Sequence, residues 1–251
     1  MNIVINPAFN HLKEHIDQIL SSFISEKNII YEGRNILKLL DVGEQKLVVK
    51  SFKIPHFINK IAYSYFRQSK AKRSYKYGLY LRTKGINTPE PVAYIENKKF
   101  GLLNDSYYIS ECLDYNGMLR ELNTGKLEGR EDFLRKFAQF TASIHEQNIL
   151  HLDYSPGNIL YKKTKDDYVF YIVDINRMSF GTVNMKQACK NLQRLWGNDE
   201  MIAFIAAEYA KARGFDINKC VDLTLFFHKK FWKKYSKRHK DRQPYLYETT
   251  S

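Results

Sequence analysis

The chain has 251 residues, 44% of them hydrophobic, which suits an ordinary globular protein of one large domain or two closely packed lobes. Forty Lys and Arg against 27 Asp and Glu give a formal net charge of +13, so an anionic partner is expected: nucleic acid, a membrane surface or a phosphorylated substrate. Cys112, Cys189 and Cys220 are far apart and odd in number, which excludes a disulfide framework and a paired Cys-x-x-Cys metal site and leaves reduced core thiols.

The first ten residues lack a basic stretch followed by an apolar run, and no segment approaches the ~18 apolar residues of a spanning helix. The expectation is a cytoplasmic chain. Asn6-Pro7 reads as an N-cap followed by proline, and Phe9, Leu12, Ile16, Ile19 and Phe23 recur at helical spacing, so residues 6–24 are predicted as an amphipathic helix. Strands are predicted at 29–31, 36–40 and 47–50, separated by turn formers at 33–35 and 41–43. A basic helix over roughly 57–84 ends at Gly85, and strands follow at 92–96 and 107–110. Beyond Glu111 the pattern is mainly helical, with Phe133, Phe137, Phe140 and Ile144 on one face. A hairpin interrupts it, with strands at 159–161 and 168–173 around the polar turn 162–167, and helices resume after about Val183. The fold class is α+β by segregation, and the two lobes join near Glu111 to Leu113.

The strongest chemical signal is His151-Leu-Asp153-Tyr-Ser-Pro-Gly-Asn158, an Asp five positions before an Asn, both just ahead of a strand. Phosphoryl transfer uses such a pair: Asp153 to accept or orient the proton of the attacking hydroxyl, Asn158 to offer a hard oxygen to Mg²⁺. The hairpin that starts after Asn158 returns at Val173, so Asp174 should come back beside Asn158 as a second metal ligand. Lys50, after the apolar run 47–49, could neutralise the α- and β-phosphates. The order strand lysine, helix, His-x-Asp-x₄-Asn, hairpin, Asp is the layout of kinase signatures.

At these residues the chain resembles the protein-kinase-like superfamily. Within it, Tyr31-Glu-Gly-Arg-Asn35, Val48-Val-Lys-Ser-Phe52, Gly85-Ile-Asn-Thr-Pro-Glu-Pro-Val92 and Val173-Asp-Ile-Asn-Arg177 resemble the lipopolysaccharide core kinases, which phosphorylate Kdo or heptose sugars, over about residues 29–200. The resemblance implies a bilobal protein-kinase-like fold forming a single domain. An N-terminal antiparallel sheet lobe with one main helix would cover about 25–110, a hinge about 111–114, and a mainly helical lobe about 115–251. It implies ATP and Mg²⁺ as cofactors, Lys50 as the phosphate-binding lysine, Asp153 as the catalytic carboxylate, Asn158 and Asp174 as metal ligands, and His151 as a structural member of the loop. Gly33, Glu111 and Leu113 complete the expected nucleotide-binding set. The expected activity is transfer of phosphate to a sugar hydroxyl of a lipopolysaccharide core or related lipid-linked saccharide, with a protein Ser/Thr kinase or a non-catalytic pseudokinase scaffold as alternatives.

Three departures from the superfamily pattern stand out. No Gly-x-Gly-x-x-Gly loop is present, Asp174-Ile-Asn replaces Asp-Phe-Gly, and residues 45–89 contain no Asp or Glu, so the usual lysine–glutamate pair has no local carboxylate. Gly33 reads equally as a hairpin turn residue or as a phosphate contact. His145 reads as a buried, hydrogen-bonded structural histidine. Arg177 either binds an anionic group of the acceptor or braces its loop. Arg67, Lys70, Lys72, Arg73 and Lys76 read as a solvated helix face. From Lys229 to Arg242 the tail interleaves basic residues with Phe231, Trp232 and Tyr235, which suits an anionic glycolipid acceptor or peripheral contact with an anionic membrane, with a solvated helix as the alternative. Nucleic acid is disfavoured because no nucleic-acid module is recognisable.

Overall fold

The computed structural model describes residues 1–54, 56, 62–122, 125–165 and 167–238. The chain divides into two compact units, Met1–Asp114 and Tyr115–Ser251.

The first unit is built on a six-stranded antiparallel sheet. Its strands are β1 (Asn2–Ile5), β2 (Ile29–Glu32), β3 (Asn35–Val42), β4 (Gln45–Phe52), β5 (Pro91–Lys99) and β6 (Leu102–Glu111), in the spatial order β1-β5-β6-β4-β3-β2. The predicted meander is β2–β3–β4. Strand β1 was not expected: it pairs with β5 some ninety residues away, and Asn6 reinforces that pairing by donating its side-chain amide to the Pro91 carbonyl at 2.8 Å. The predicted helix over 6–24 is broken into a 3₁₀ run, Pro7–His15, itself kinked at Phe9, and α1 (Ile16–Ser25). Its apolar periodicity survives the break. Phe9, Leu12, Ile16, Ile19 and Phe23 all pack against Leu40, Leu47, Val49, Ile95 and Ile109 on one sheet face. Lys38 closes this layer from β3, where its buried ammonium donates to the Phe23 and Glu26 carbonyls at 2.7 and 2.8 Å, a cation on the carbonyl end of α1.

The other sheet face carries α2 (Lys70–Thr83), capped by Ser69, whose hydroxyl accepts from the Lys72 amide at 3.0 Å. Among the described residues the predicted basic helix is a π-helical turn at Ala62–Phe66 followed by α2; its first predicted residues, 57–61, lie outside the described set. Ala71 and Tyr75 meet Phe52, Tyr94 and Tyr108 there. Arg73 corrects the solvated-face reading: it is buried, and burial lowers its pKa, so only part of that basic run faces water.

The second unit is organised around α3 (Glu131–Glu146), α4 (Met185–Asn191), α5 (Asp199–Arg213) and α6 (Ile217–Arg238), with three small ladders between them. The predicted hairpin is β9 (Ile159–Lys163) with β10 (Tyr168–Ile172), joined by β7 (Gly117–Met118); β8 (Ile149–His151) pairs with β11 (Met178–Phe180). Phe133, Phe137 and Phe140 of α3 all pack against Phe170 of β10, which fixes the hairpin to the helix. Cys189 and Cys220, distant in sequence, lie with their sulfurs 3.5 Å apart in the α4–α6 core; they are buried free thiols, but adjacent ones.

The C-terminal helix corrects the tail reading in one respect. Trp232 is only 4% exposed and donates its indole N–H to the Leu195 carbonyl at 3.3 Å, which the buried His228 ring also meets at 3.0 Å. This tryptophan belongs to the core and is not available to a lipid surface. Residues 239–242 of the predicted basic stretch lie outside the described set, and among the described residues no helix is long and apolar enough to cross a membrane. Trp232→Ala should therefore cost about 3–5 kcal/mol of unfolding free energy, and Trp232→Phe clearly less, as read by urea denaturation. A near-neutral alanine variant would contradict the core assignment.

Candidate active site

Helix α3 ends at Glu146, and Asn148 turns the chain at φ 59° into β8. Because β8 pairs with β11 in the register Met178↔His151, the segments before Asp153 and after Asp174 are stapled to each other. The Leu152 amide adds a bond to the Arg177 carbonyl at 2.8 Å.

His151 lies inside this staple. Its Nδ1 accepts from the Asp153 amide at 3.0 Å and its Nε2 donates to the Val173 carbonyl at 3.1 Å. One nitrogen accepts and the other donates, which is the pattern of a neutral imidazole, and burial accordingly takes its pKa down to about 4. The ring is a fixed spacer between the two acidic loops.

Asn158 is set by a 3₁₀ turn, Pro156–Asn158. Its side-chain amide donates to the Asp153 carbonyl at 2.9 Å, which directs Oδ1 the other way as an acceptor. Its own carbonyl accepts from the Val173 amide at 2.9 Å, continuing the hairpin register Ile172↔Ile159. Asp174 is thus the next residue after the end of the ladder that begins at Asn158. Its backbone adopts φ 55°, a left-handed conformation uncommon for a non-glycine residue, and Asn176 donates to its Oδ1 at 2.6 Å. Asn176, which stands where the superfamily has glycine, is buried and orients the carboxylate.

An amide oxygen and a carboxylate at one end of a hairpin are hard donors of the kind Mg²⁺ takes. Among the described residues no cluster of three or more His, Cys, Asp and Glu could hold a metal by itself.

The Asp153 carboxylate is held by two arginines: Oδ1 by Arg194, and Oδ2 by Arg177 at 3.4 Å. Arg194 comes from the short 3₁₀ turn Leu192–Arg194, and its guanidinium sits 5.5 Å over the Phe231 ring of α6. Nothing in the sequence around Arg194 marked it, because its role arises from a contact made across the fold.

A polar relay braces the loop from behind. Arg213 donates to the Tyr209 hydroxyl at 2.6 Å, and that hydroxyl meets His145 Nδ1 at 2.9 Å. His145 Nε2 lies 3.2 Å from Asn191 Oδ1, and the Asn191 amide donates to the His151 carbonyl at 2.8 Å. Nearby, Tyr154 is buried, stacks on Phe137 and shares a 2.8 Å hydroxyl bond with Thr141. His145 is the buried structural histidine that its helical position implied.

The remaining candidates belong to the first unit. Lys50 is on β4, which continues to Phe52, and its ammonium lies 5.3 Å over the Phe52 ring. Its cross-strand neighbour is Tyr108, in the aromatic cluster beneath α2. Gly33 occupies the β2–β3 turn with an ordinary φ, and a side chain there would collide with Tyr31. Glu111 ends β6 with its amide bonded to the Glu90 carbonyl at 3.0 Å, and Leu113 follows two residues later, half-buried.

Comparison with known proteins adds the following. The lipopolysaccharide kinase (Kdo/WaaP) family model matches residues 34–212. A solved structure of WaaP in complex with acyl carrier protein superposes with a TM-score of 0.61 at 15% identity, covering 94% of this chain and 100% of that one. A Rio2 kinase complex with ADP/Mg²⁺ and phosphoaspartate, from Chaetomium thermophilum, gives 0.51 at 11% identity, covering 94% and 78%. Comparison with curated protein sequences gives no match. The fold is α+β and protein-kinase-like, as expected.

Burial lowers the His145 pKa from 6.5 to about 4, so the native state resists a proton that the unfolded chain accepts. Its contribution to stability is complete above pH 6.5 and is lost as pH falls toward 4. Between pH ~7.5 and ~5 that loss is about 2 kcal/mol, and His145→Gln should show a correspondingly smaller drop in urea-unfolding free energy. An identical drop in both proteins would remove His145 from the acid response.

Proposed function

Because the chain belongs to the lipopolysaccharide kinase (Kdo/WaaP) family, we propose that it transfers the γ-phosphoryl group of ATP to a sugar hydroxyl of a lipopolysaccharide core or related lipid-linked saccharide. The observation that carries this reading is the convergence of Asp153, Asn158 and Asp174 at one end of the β9–β10 hairpin, tied together by Asn158 and His151.

In this reading Asp153 accepts or orients the proton of the attacking hydroxyl, and Asn158 and Asp174 hold Mg²⁺. Bound there, the ion would supply charge neutralisation at the β- and γ-phosphates and a template for in-line transfer. The Rio2 relative, solved with ADP and Mg²⁺, supports the same nucleotide and metal for this chain. Lys50, Gly33, Glu111 and Leu113 are assigned to ATP on family resemblance.

The acceptor is assigned as an anionic glycolipid. Supporting this, α6 exposes Lys230, Lys233, Lys234, Lys237 and Arg238 on a helix without a spanning segment, suited to peripheral contact with the cytoplasmic face of an anionic membrane. The WaaP relative was solved with an acyl carrier protein, which supports a protein partner as well.

The test is phosphate transfer from ATP, with and without Mg²⁺, to lipid A–Kdo material beside generic protein acceptors. Transfer confined to the saccharide is expected; transfer confined to protein would replace this reading with a protein kinase, and ATP binding without turnover would replace it with a scaffold. Asp174→Ala should abolish Mg²⁺-dependent turnover with the fold intact. Asp153→Asn should keep ATP binding but lose at least ~100-fold in kcat, since an amide cannot take the hydroxyl proton. Turnover within a few-fold of wild type in either variant would remove that residue from the mechanism. Replacing Lys230, Lys233, Lys234 and Lys237 by Gln should weaken salt-sensitive binding to anionic vesicles and raise KM for a membrane-embedded acceptor while sparing a short soluble one. Unchanged vesicle binding would end the membrane assignment.

A further inference from the structure

The two arginines on Asp153 are unequal. Arg194 is 34% exposed, lies over Phe231 and pairs with Oδ1, while Arg177 is 55% exposed and reaches Oδ2 only at 3.4 Å. Two guanidiniums share one carboxylate, and among the described residues Asp153 is the one ion-pair partner of Arg177. A long, exposed ion pair of this kind contributes little, whereas a guanidinium meeting a carboxylate or phosphate with two parallel bonds is a strong, directional contact.

The backbone of Arg177 is nonetheless fixed. Its carbonyl is bonded to the Leu152 amide, and the next residue, Met178, is paired with His151. An exposed guanidinium on a backbone fixed by hydrogen bonds, beside the carboxylate that meets the reacting hydroxyl, is placed to read whatever substituent lies next to that hydroxyl.

Resting on the sugar-kinase reading above, we propose that Arg177 is the receptor for an anionic group of the acceptor, a sugar carboxylate or a sugar phosphate adjacent to the accepting hydroxyl. This group competes with Asp153 Oδ2 for Arg177, while Arg194 keeps Asp153 anchored through Oδ1. An acceptor without the anion leaves Asp153 tied to both arginines. Arg177 is thereby a specificity-determining residue, and Arg194 a positioning residue.

The test measures kcat and KM for ATP-dependent transfer to two pairs of soluble acceptors: a Kdo glycoside against its methyl ester, and a heptose phosphate against the free heptose. Wild type should prefer the charged member of one pair by roughly 10-fold or more, mainly through KM, and that pair identifies the anion as carboxylate or phosphate. Arg177→Gln should collapse the preference, and Arg177→Lys, which keeps the charge but not the fork, should retain part of it. Thermal unfolding of both variants checks that the fold is retained, and the lysine variant carries the test if the glutamine variant does not fold. A wild type indifferent to the anion, or a preference unmoved in either folded variant, overturns the proposal. So does an equal fall in kcat on charged and uncharged acceptors, which would mark Arg177 as acting on the transferred phosphoryl group. Transfer to none of the four by wild type would sink the sugar-kinase reading, and this inference with it.

Discussion

The neutral ring of His151, bonded at one nitrogen to the Asp153 amide and at the other to the Val173 carbonyl, sets the spacing between the two acidic loops. It does so because burial keeps it uncharged: a protonated ring would have no lone pair for the Asp153 amide and would place a charge in the interior. Asn158 adds a second cross-link, with its side chain to the Asp153 carbonyl and its own carbonyl to the Val173 amide. The positions of all three proposed catalytic and metal-binding groups therefore follow from hydrogen bonds made to the backbone of a short ladder, which is a stiffer support than side-chain packing alone.

Behind this ladder lies a second layer whose members come from separate helices. The relay from Arg213 through Tyr209, His145 and Asn191 ends on the His151 carbonyl, so α3, α4 and α5 all bear on one loop. Helix α6 joins through Phe231, which supports the Arg194 guanidinium that holds Asp153. The same helix that displays exposed lysines thus also sends one aromatic ring toward the proposed catalytic carboxylate. This explains why its aromatic residues are divided: Trp232 and Phe231 serve the fold and the site, and Phe226 faces water.

The first unit solves a different problem. Its sheet must be covered on both faces, and it uses the 3₁₀–α1 segment on one and α2 on the other. The face beneath α2 is lined by tyrosines and phenylalanine, and residues 45–89 carry no Asp or Glu. Lys50 sits on this aromatic face beside Phe52, whose ring attracts its cation.

Local patterns in the sequence determined a good deal. The strand pattern of β2 to β6, the helical spacing of Phe9 to Phe23 and of Phe133 to Ile144, and the step from Asp153 to Asn158 all depend on residues a few positions apart. Backbone periodicity and short-range hydrogen bonding write such patterns directly into the chain. Even the return of Asp174 to Asn158 was legible, because a hairpin converts a short sequence separation into adjacency. The tertiary structure alone decided the pairing of β1 with β5, the meeting of Cys189 with Cys220, the burial of Arg73 and Trp232, the grip of Asn176 on Asp174, and the presence of Arg194 on Asp153. Most of these join residues tens of positions apart, and each depends on where a side chain points after packing, which leaves no periodic trace in the sequence.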